Sequence, residues 1–204
     1  LRNKAAATTL QSFEPTTITE YRYHAIFGRL LYNYLNRYIV NVNVRRDGSS
    51  RFGSANKFEN FGSIGAAWIF TEESFLQLFA KVISFGKLKI SYGTTGSDQI
   101  PDYSYLSLYS LQNIANLNLY QGIRGLQPSR LPNPHLQWEK TKKLNVGLDV
   151  GIFKNNLLLN VNYGMNRSSN QLLSYVLAST AGYQDIVTNF PALIENTSWE
   201  FSLT

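Results

Sequence analysis

The residue types that most often carry catalysis or bind metals are few in this chain and lie apart. The two histidines, His24 and His135, occur on separate segments, with no second ligand at the spacing of a metal site. Glu72 and Glu73 are adjacent carboxylates, but at the start of a predicted helix they are explained by its positive dipole end. No phosphate-binding loop, nucleophile elbow or zinc-protease motif occurs. The sequence therefore predicts no enzyme activity and no cofactor.

A short charged run is the next candidate site. Asp47 and Gly48 lie between Arg46 and Arg51, and these residue types favour a turn held by aspartate and arginine hydrogen bonds. The same groups are also suited to contact a ligand. We favour the structural interpretation, because an Asp-Gly pair is a common turn former.

A tyrosine-rich segment is the third candidate. About forty residues between Gly96 and Leu136 lack clean periodicity, and so long a loop is usually functional. Aromatic faces suit the flat apolar surfaces of sugar rings, so these tyrosines are candidates for ligand or partner contact. They are equally suited to pack the loop or to lie at a membrane interface. The four candidates are Tyr103, Tyr105, Tyr109 and Tyr120.

The elements that must position these residues are strands. From Leu144 to Ile152 every even position is aliphatic, and the odd positions are Asn, Gly, Asp and Gly. After a Lys-Asn-Asn break the alternation resumes from Leu157 to Met165. A period of two indicates a sheet with one apolar and one polar face, and the short break predicts a tight hairpin.

Two faces alone do not say which medium each one meets. The apolar face packs on a core in a soluble sandwich, and it meets lipid in an outer-membrane barrel. The strands are long enough to cross a bilayer at a tilt, the polar face is rich in Asn and Gly, and Trp138 and Phe153 lie near strand ends. Short and long connections also alternate along the chain, as in up-and-down membrane barrels. We therefore predict an all-β, antiparallel, up-and-down transmembrane β-barrel segment of about seven strands.

One helix is expected within this β pattern. Thr71 is suited to cap it, Phe75, Phe79 and Ile83 follow at helical spacing, and Gly86 would end it. The sequence therefore predicts one short helix near residues 72–83.

Composition bounds the remaining classes. The chain has 204 residues, a formal net charge of +6 and no Cys, so it has no disulfide framework or thiolate metal site. Its basic residues are scattered, which favours solvated or lumen-facing charge over nucleic-acid binding. No apolar run approaches the ~20 residues of a membrane helix. The chain opens on Leu1 and ends on a strand-like pattern, so we expect it to be part of a longer protein.

Three runs stand out along the chain: RDGSSRFG at 46–53, SYGTTG at 91–96 and the block NPHLQWEKT at 133–141. In their order and spacing they resemble SusC/RagA-type TonB-dependent outer-membrane transporters. Departures are local: Glu59 and Gly62 replace the family's Gly and Pro, Ser97 replaces Asn, and the run at 196–200 differs. The resemblance covers roughly residues 21–204. It suggests a structural role for the motif residues Arg46, Asp47, Gly48, Ser49, Ser50, Arg51, Phe52, Trp138 and Glu139.

The resemblance implies that residues 1–204 are part of a barrel of ~22 strands that is plugged at its lumen. The plug domain, the TonB-contacting segment and the signal peptide would lie outside this chain. The implied location is the outer membrane, and the implied partners are the lipid bilayer, a TonB complex and a SusD-like surface lipoprotein. The implied function is import of large nutrients, glycan or peptide. The alternative is a secreted all-β carbohydrate-binding module, whose aliphatic positions would form a core.

Overall fold

The computed structural model describes residues 18–74, 82–111 and 126–204, and strands dominate all three ranges. Short 3-10 turns occur at Phe70–Glu72 and Ser179–Ala181. The strands are β1 (Tyr23–Tyr34), β2 (Tyr38–Ser49), β3 (Phe58–Ile69), β4 (Ile83–Ser97), β5 (Leu108–Leu111), β6 (Leu126–Arg130), β7 (Glu139–Ile152), β8 (Leu157–Ser169), β9 (Gln171–Val176), β10 (Asp185–Phe190) and β11 (Ile194–Leu203).

Seven long strands form one antiparallel sheet in the order β1-β2-β3-β4-β7-β8-β11. This confirms the predicted all-β, up-and-down architecture and its strand number. Two small hairpins, β5/β6 and β9/β10, interrupt the sequence order without joining the sheet. The segment between Gly96 and Leu136 was expected to be an aperiodic loop, so hairpin β5/β6 was not predicted, and no periodicity indicated hairpin β9/β10.

The register carries the predicted two faces across all seven strands. One row joins residues that share the outward, apolar face: Tyr32, Val40, Ala66, Ile90, Val146, Tyr163 and Trp199. The neighbouring row joins residues of the other face, which is mostly polar or small: Leu31, Asn41, Gly65, Ser91, Asn145, Gly164 and Ser198. A shift of one residue in any strand would exchange the faces, so the pattern fixes the register.

The connections fall at two ends of the sheet. Connections 35–37, 70–82 and 153–156 lie at one end, called the short-turn end, and connections 50–57, 98–138 and 170–193 lie at the other, called the long-connection end. The predicted alternation in length fails at 70–82, which has 13 residues against 8 in 50–57. Leu35 and Asn36 turn with positive φ of 52° and 54°, and Phe153, Lys154 and Asn155 with 53°, 58° and 65°. The tight hairpin predicted at the Lys-Asn-Asn break is therefore confirmed.

The predicted helix near 72–83 is wrong at both of its described ends. Phe70–Glu72 makes only one 3-10 turn, with no side-chain cap, and β4 already begins at Ile83. Thr71 does not cap a helix; its Oγ1 accepts a hydrogen bond from the Gly86 backbone at 3.1 Å. Gly86 lies inside the strand, where pairing of β4 with β7 outweighs the local helical spacing. Residues 75–81 lie outside the described ranges.

The turn predicted at Asp47 and Gly48 is wrong, because both residues lie within β2, which runs to Ser49 and pairs there with Phe58 and Glu59 of β3. The SYGTTG run lies within β4, which continues to Ser97. Both strands follow the sheet register beyond the clean alternation.

Burial is concentrated at one end of the sheet. The apolar face is largely exposed, with Trp199 63% accessible. Within the described ranges the buried apolar cluster consists of Phe52, Phe61, Ile100, Leu136 and Trp138. In the same ranges, no helix is long and apolar enough to cross a bilayer.

Candidate functional site

The RDGSSRFG run forms a buried polar junction at the long-connection end. Asp47 is 4% exposed and Ser49 is fully buried. Ser49 Oγ donates a hydrogen bond to Asp98 Oδ2 at 2.7 Å, and the Tyr21 hydroxyl donates to the same oxygen at 2.8 Å. One carboxylate from the connection after β4 therefore ties together β2 and the segment before β1.

Arg51 holds the same connection from the other side. Its Nε donates to Asp102 Oδ1 at 2.8 Å, and its NH1 donates to the Asp98 carbonyl at 3.1 Å. The guanidinium also lies 4.4 Å from the centre of the Tyr21 ring, a cation–π arrangement. The Asp102 hydrogen bond raises the pKa of Arg51, and burial, followed by Asp98, raises the pKa of Tyr21. Both side chains therefore stay protonated over the physiological range.

The other motif residues contact their neighbours closely. Asp47 accepts a hydrogen bond from Arg45 Nε, and Arg45 NH2 donates to the Tyr23 hydroxyl at 2.7 Å. Ser50 Oγ accepts the Arg22 backbone N–H at 3.0 Å. The Arg46 guanidinium lies 5.4 Å from the centre of the Phe58 ring, and a Cβ on Gly48 would collide with that ring. A side chain at position 48 would therefore require the half-exposed Phe58 ring to move.

Aromatic packing forms the centre of the buried cluster. The Trp138 ring lies 5.0 Å from Phe52 and 5.8 Å, edge-on, from Phe61. Within the described ranges its Nε1 has no hydrogen-bond partner. The next residue, Glu139, accepts a hydrogen bond from Gln171 Nε2 at 3.2 Å, which connects β7 to the β9/β10 hairpin.

The four candidate tyrosines are placed differently from one another. The Tyr103 hydroxyl accepts the Glu20 N–H at 2.8 Å and donates to the Glu20 carbonyl at 3.3 Å. Tyr105 packs half-buried against the apolar cluster, whereas Tyr109 on β5 is 59% exposed. Tyr120 lies outside the described residues. Ligand or partner contact by these tyrosines stays a prediction.

The acidic pair and the histidines occupy separate places. Glu73 accepts hydrogen bonds from the Tyr38 hydroxyl at 2.5 Å and Trp68 Nε1 at 3.3 Å, and pairs with Arg37 at 3.5 Å. The bond from Tyr38, and then that from Trp68, lowers the pKa of Glu73. This carboxylate therefore ties two short-turn connections together instead of starting a helix. His24 lies on β1 and His135 in the connection before β7, both exposed.

A cleft on the inward face, lined by both polar and apolar groups, was not recognised from the sequence. It encloses about 500 Å³ and runs across β2, β3, β4 and β7, with Gly65 and Gly93 among its lining residues. Asn43 donates to Ser63 Oγ at 3.1 Å within it. Its amides, hydroxyls and the Arg45 guanidinium can hydrogen-bond a polar solute. The alternating Asn residues were the available signal, but the cleft depends on register across four strands.

Further along the same face, Lys89 Nζ lies 2.8 Å from Asp149 Oδ2. Asn160 also donates to Asp149, and Asn162 donates to Asn160. A charged and amide network therefore continues toward the short-turn end.

Comparison with known proteins finds relatives that are similar to this chain in sequence and in fold. The family described as TonB dependent receptor-like, beta-barrel, matches residues 3–204. TonB-dependent receptor P39 of Formosa agariphila is 31% identical over 188 residues, which are 92% of this chain and 17% of that receptor. TonB-dependent receptor SusC of Bacteroides thetaiotaomicron is 32% identical over 179 residues, which are 87% of this chain and 18% of SusC.

Solved structures agree. The RagAB peptide importer in its closed-closed state superposes with a TM-score of 0.81 at 30% identity, covering 91% of this chain and 20% of that chain. The siderophore receptor PirA from Pseudomonas aeruginosa, at 14% identity and a TM-score of 0.55, shows the fold alone. The chain thus spans about a fifth of the length of these SusC- and RagA-type relatives. The predicted resemblance is confirmed, and the chain belongs to the TonB-dependent receptor β-barrel family, as a SusC/RagA-type member.

Proposed function

We propose that this chain forms part of the barrel wall of an outer-membrane importer of large nutrients. The observation that carries the proposal is the two-faced seven-stranded sheet, with an exposed apolar face and a hydrogen-bonded polar face. The family it belongs to is an outer-membrane family, and its relatives are named as receptors and importers rather than enzymes.

The height of the apolar face supports a lipid-facing orientation. On β7 the outward aliphatic positions run from Leu144 to Ile152. Eight residue steps at ~3.4 Å, tilted by ~40°, give a band roughly 21 Å tall, close to the ~25 Å of outer-membrane barrels.

Aromatic side chains mark the lower edge of that band. Tyr34 and Tyr38 lie 6.4 Å apart, and Trp68 lies 5.9 Å from Phe70, all near the short-turn end. Tyrosine and tryptophan favour the membrane–water interface, because one side of each ring is apolar and the other reaches polar groups. Short turns on the periplasmic side and long connections outside then follow the usual barrel orientation.

Substrate and partners follow by analogy with relatives. SusC and the RagAB peptide importer suggest a large oligomeric solute, glycan or peptide, and a SusD-like surface lipoprotein over the long-connection end. Energy would come from a TonB complex, through a part of the protein outside residues 1–204. The plug would also lie outside these residues. The exposed Tyr109 and the cleft on the inward face are then suited to contact the solute on its path.

For the RDGSSRFG run, Trp138 and Glu139 we propose a structural role. Their hydrogen-bond partners include the protein's own Asp98, Asp102 and Gln171. Asp47, Ser49, Phe52 and Trp138 are buried. This arrangement fixes the bases of three extracellular connections and supports the partner-binding end.

The alternative, a secreted carbohydrate-binding module, requires the apolar face to be a core. Ile64, Ile90 and Trp199 on that face are all at least half exposed, and no described segment covers them. The alternative therefore has no support from the described structure.

Uptake by the full-length receptor tests the proposal. A strain lacking its gene should lose growth on one class of glycan or peptide, and plasmid-borne receptor should restore it only with an intact TonB system. Affinity purification from outer membranes should recover a surface lipoprotein encoded beside the receptor gene. Growth on every polymer tested in the deletion strain, or restoration without TonB, would contradict the importer assignment.

A further inference from the structure

The outward face changes character where it meets the long-connection end. On β7, β8 and β11, one row of the register holds Lys142, Arg167 and Glu195, and the next row toward the short-turn end holds Leu144, Met165 and Thr197. Period two places both rows on the outward face. Charged side chains therefore stand directly at the upper edge of the apolar band.

The charges of this row are not balanced. Lys142 and Arg167 are directly opposite each other on adjacent strands, and both are exposed. Like charges in that position repel, since their Cβ atoms are only ~5 Å apart. Arg167 Nε pairs with Glu195 Oε2 at 2.5 Å, but Lys142 takes part in none of the ion pairs among the described residues. An anion between the two cations would remove the repulsion.

An apolar groove of about 380 Å³ lies below these cations on the same three strands. Its side chains include Val146, Leu148, Val161, Tyr163 and Trp199. The Trp199 ring lies 4.9 Å from Tyr163 and 6.1 Å from Phe201, so an aromatic side bounds it. Val146 is four residues from Lys142, which is roughly 14 Å along the strand.

We propose that Lys142, Arg167 and this groove form a binding site for one anionic, phosphate-bearing membrane lipid, which we call the lipid site. The phosphate would lie between the two cations, with Glu195 holding Arg167 in place, and an acyl chain would follow the groove. A lipid matches the cations and the groove at once, because its charged headgroup is joined to an acyl chain that can reach from the cations to the groove. The proposal rests on the proposed lipid-facing orientation of the outward face.

The lipid site lies in the leaflet at the long-connection end, because Lys142 and Arg167 stand at that edge of the band. An unpaired cation alone does not mark the site: Lys154, exposed in the β7–β8 turn at the opposite end, also takes part in none of the ion pairs among the described residues. The two facing cations above an apolar groove distinguish the long-connection edge.

Headgroup selectivity of the full-length receptor tests the lipid site. The receptor is purified, delipidated in detergent, and titrated with phosphatidylglycerol or phosphatidylcholine of identical acyl chains, with retained lipid counted by native mass spectrometry. Because Glu195 offsets the charge of Arg167, the net charge of the row is that of one cation, which should favour phosphatidylglycerol roughly fivefold. Lys142→Gln with Arg167→Gln should abolish the preference, whereas Lys143→Gln, next in sequence but on the inward face, should preserve it.

The groove has its own readout. Trp199→Ala should reduce retention of both lipids without changing the preference between them. Three results would overturn the lipid site. The wild type could retain both lipids equally, or the double variant and Lys143→Gln could lose the preference for phosphatidylglycerol to the same extent. The third is retention of both lipids that Trp199→Ala leaves unchanged. Competition by glycerol phosphate at the same concentration as the lipid would also overturn it, because that result describes a phosphate site without an acyl chain. A lipid-independent dimer that Trp199→Ala disperses would assign the groove to a second copy instead.

Lipid exposure itself is measured separately. A fluorophore on Val146→Cys should be quenched by brominated phosphatidylcholine whether or not the lipid site exists. If the fluorophore is quenched but the receptor shows no preference for phosphatidylglycerol, the lipid site alone is overturned. If the fluorophore is not quenched, the lipid-facing orientation on which the site rests is overturned.

Discussion

A positive charge on the outward face of β7 should destabilise the receptor according to its depth in the apolar band. Leu148 lies midway between Leu144 and Ile152, roughly 10 Å from either edge after correction for strand tilt. Leu148→Arg should therefore cost about 2–4 kcal/mol, a factor of roughly 30 to 800 in the folding equilibrium. Val146→Arg, ~5 Å nearer the upper edge, should cost less.

Asn145 supplies the matched control. It neighbours Val146 in sequence but lies exposed on the inward face, in the row of Ser91 and Gly164. Asn145→Arg should change stability by no more than about 0.5 kcal/mol. The assay is urea unfolding of the full-length receptor from lipid vesicles, followed by heat-dependent gel mobility. Equal costs at positions 145 and 146, or no dependence on depth between 146 and 148, would refute the assignment of the two faces.

Three further changes test separate parts of the structure. Trp138→Ala should cost about 3–5 kcal/mol in urea unfolding, whereas Trp138→Phe should cost far less, because Nε1 bonds to none of the described residues; equal costs would contradict the packing role. The lowered pKa of Glu73 gives stability that is present above its unfolded pKa and is lost as the pH falls through its folded pKa. Tyr38→Phe should therefore weaken the acid dependence of the urea midpoint, and an unchanged dependence would exclude this hydrogen bond as its source. Gly93→Ala should cost about 1–3 kcal/mol, because its Cβ would lie 2.5 Å from Ser63 Cβ, whereas Gly28→Ala meets only ordinary contacts and should be nearly neutral.

The long strands were predictable because their signal is local. Alternation from Leu144 to Ile152 reports the two faces directly, whatever the strand later pairs with. The turn around Asn155 likewise follows from a residue type that tolerates positive φ. Family resemblance added the identity, which periodicity alone does not carry.

The missed elements depend on distant parts of the chain. Ile83 carries the helical spacing of a stripe with Phe75 and Phe79, yet it pairs with Ile152, sixty-nine residues away, and joins a strand. Hairpins β5/β6 and β9/β10 use strands of four to six residues, too short to show a period of two clearly. In both cases tertiary pairing overrides local pattern.

The candidate site divides in the same way. The residues of the RDGSSRFG run were found, but their acceptors were not, since Asp98 lies 49 residues from Ser49. The available signal was opposite charge: Arg51 lies in the connection after β2, and Asp98 and Asp102 lie in the connection after β4. Ile100 and Leu136 entered the buried cluster from a segment without periodicity.

Alternate accessibility along β7 tests the central claim most directly. The chain contains no Cys, so single-cysteine variants at positions 144 to 150 of a receptor made cysteine-free elsewhere report one site each. Positions 145 and 149 should react with a membrane-impermeant maleimide when both sides of the membrane are open to it. Fluorophores at 144, 146, 148 and 150 should instead be quenched by brominated lipid. Strict alternation of the two signals is the expected result, and uniform water access along the strand would contradict a barrel wall.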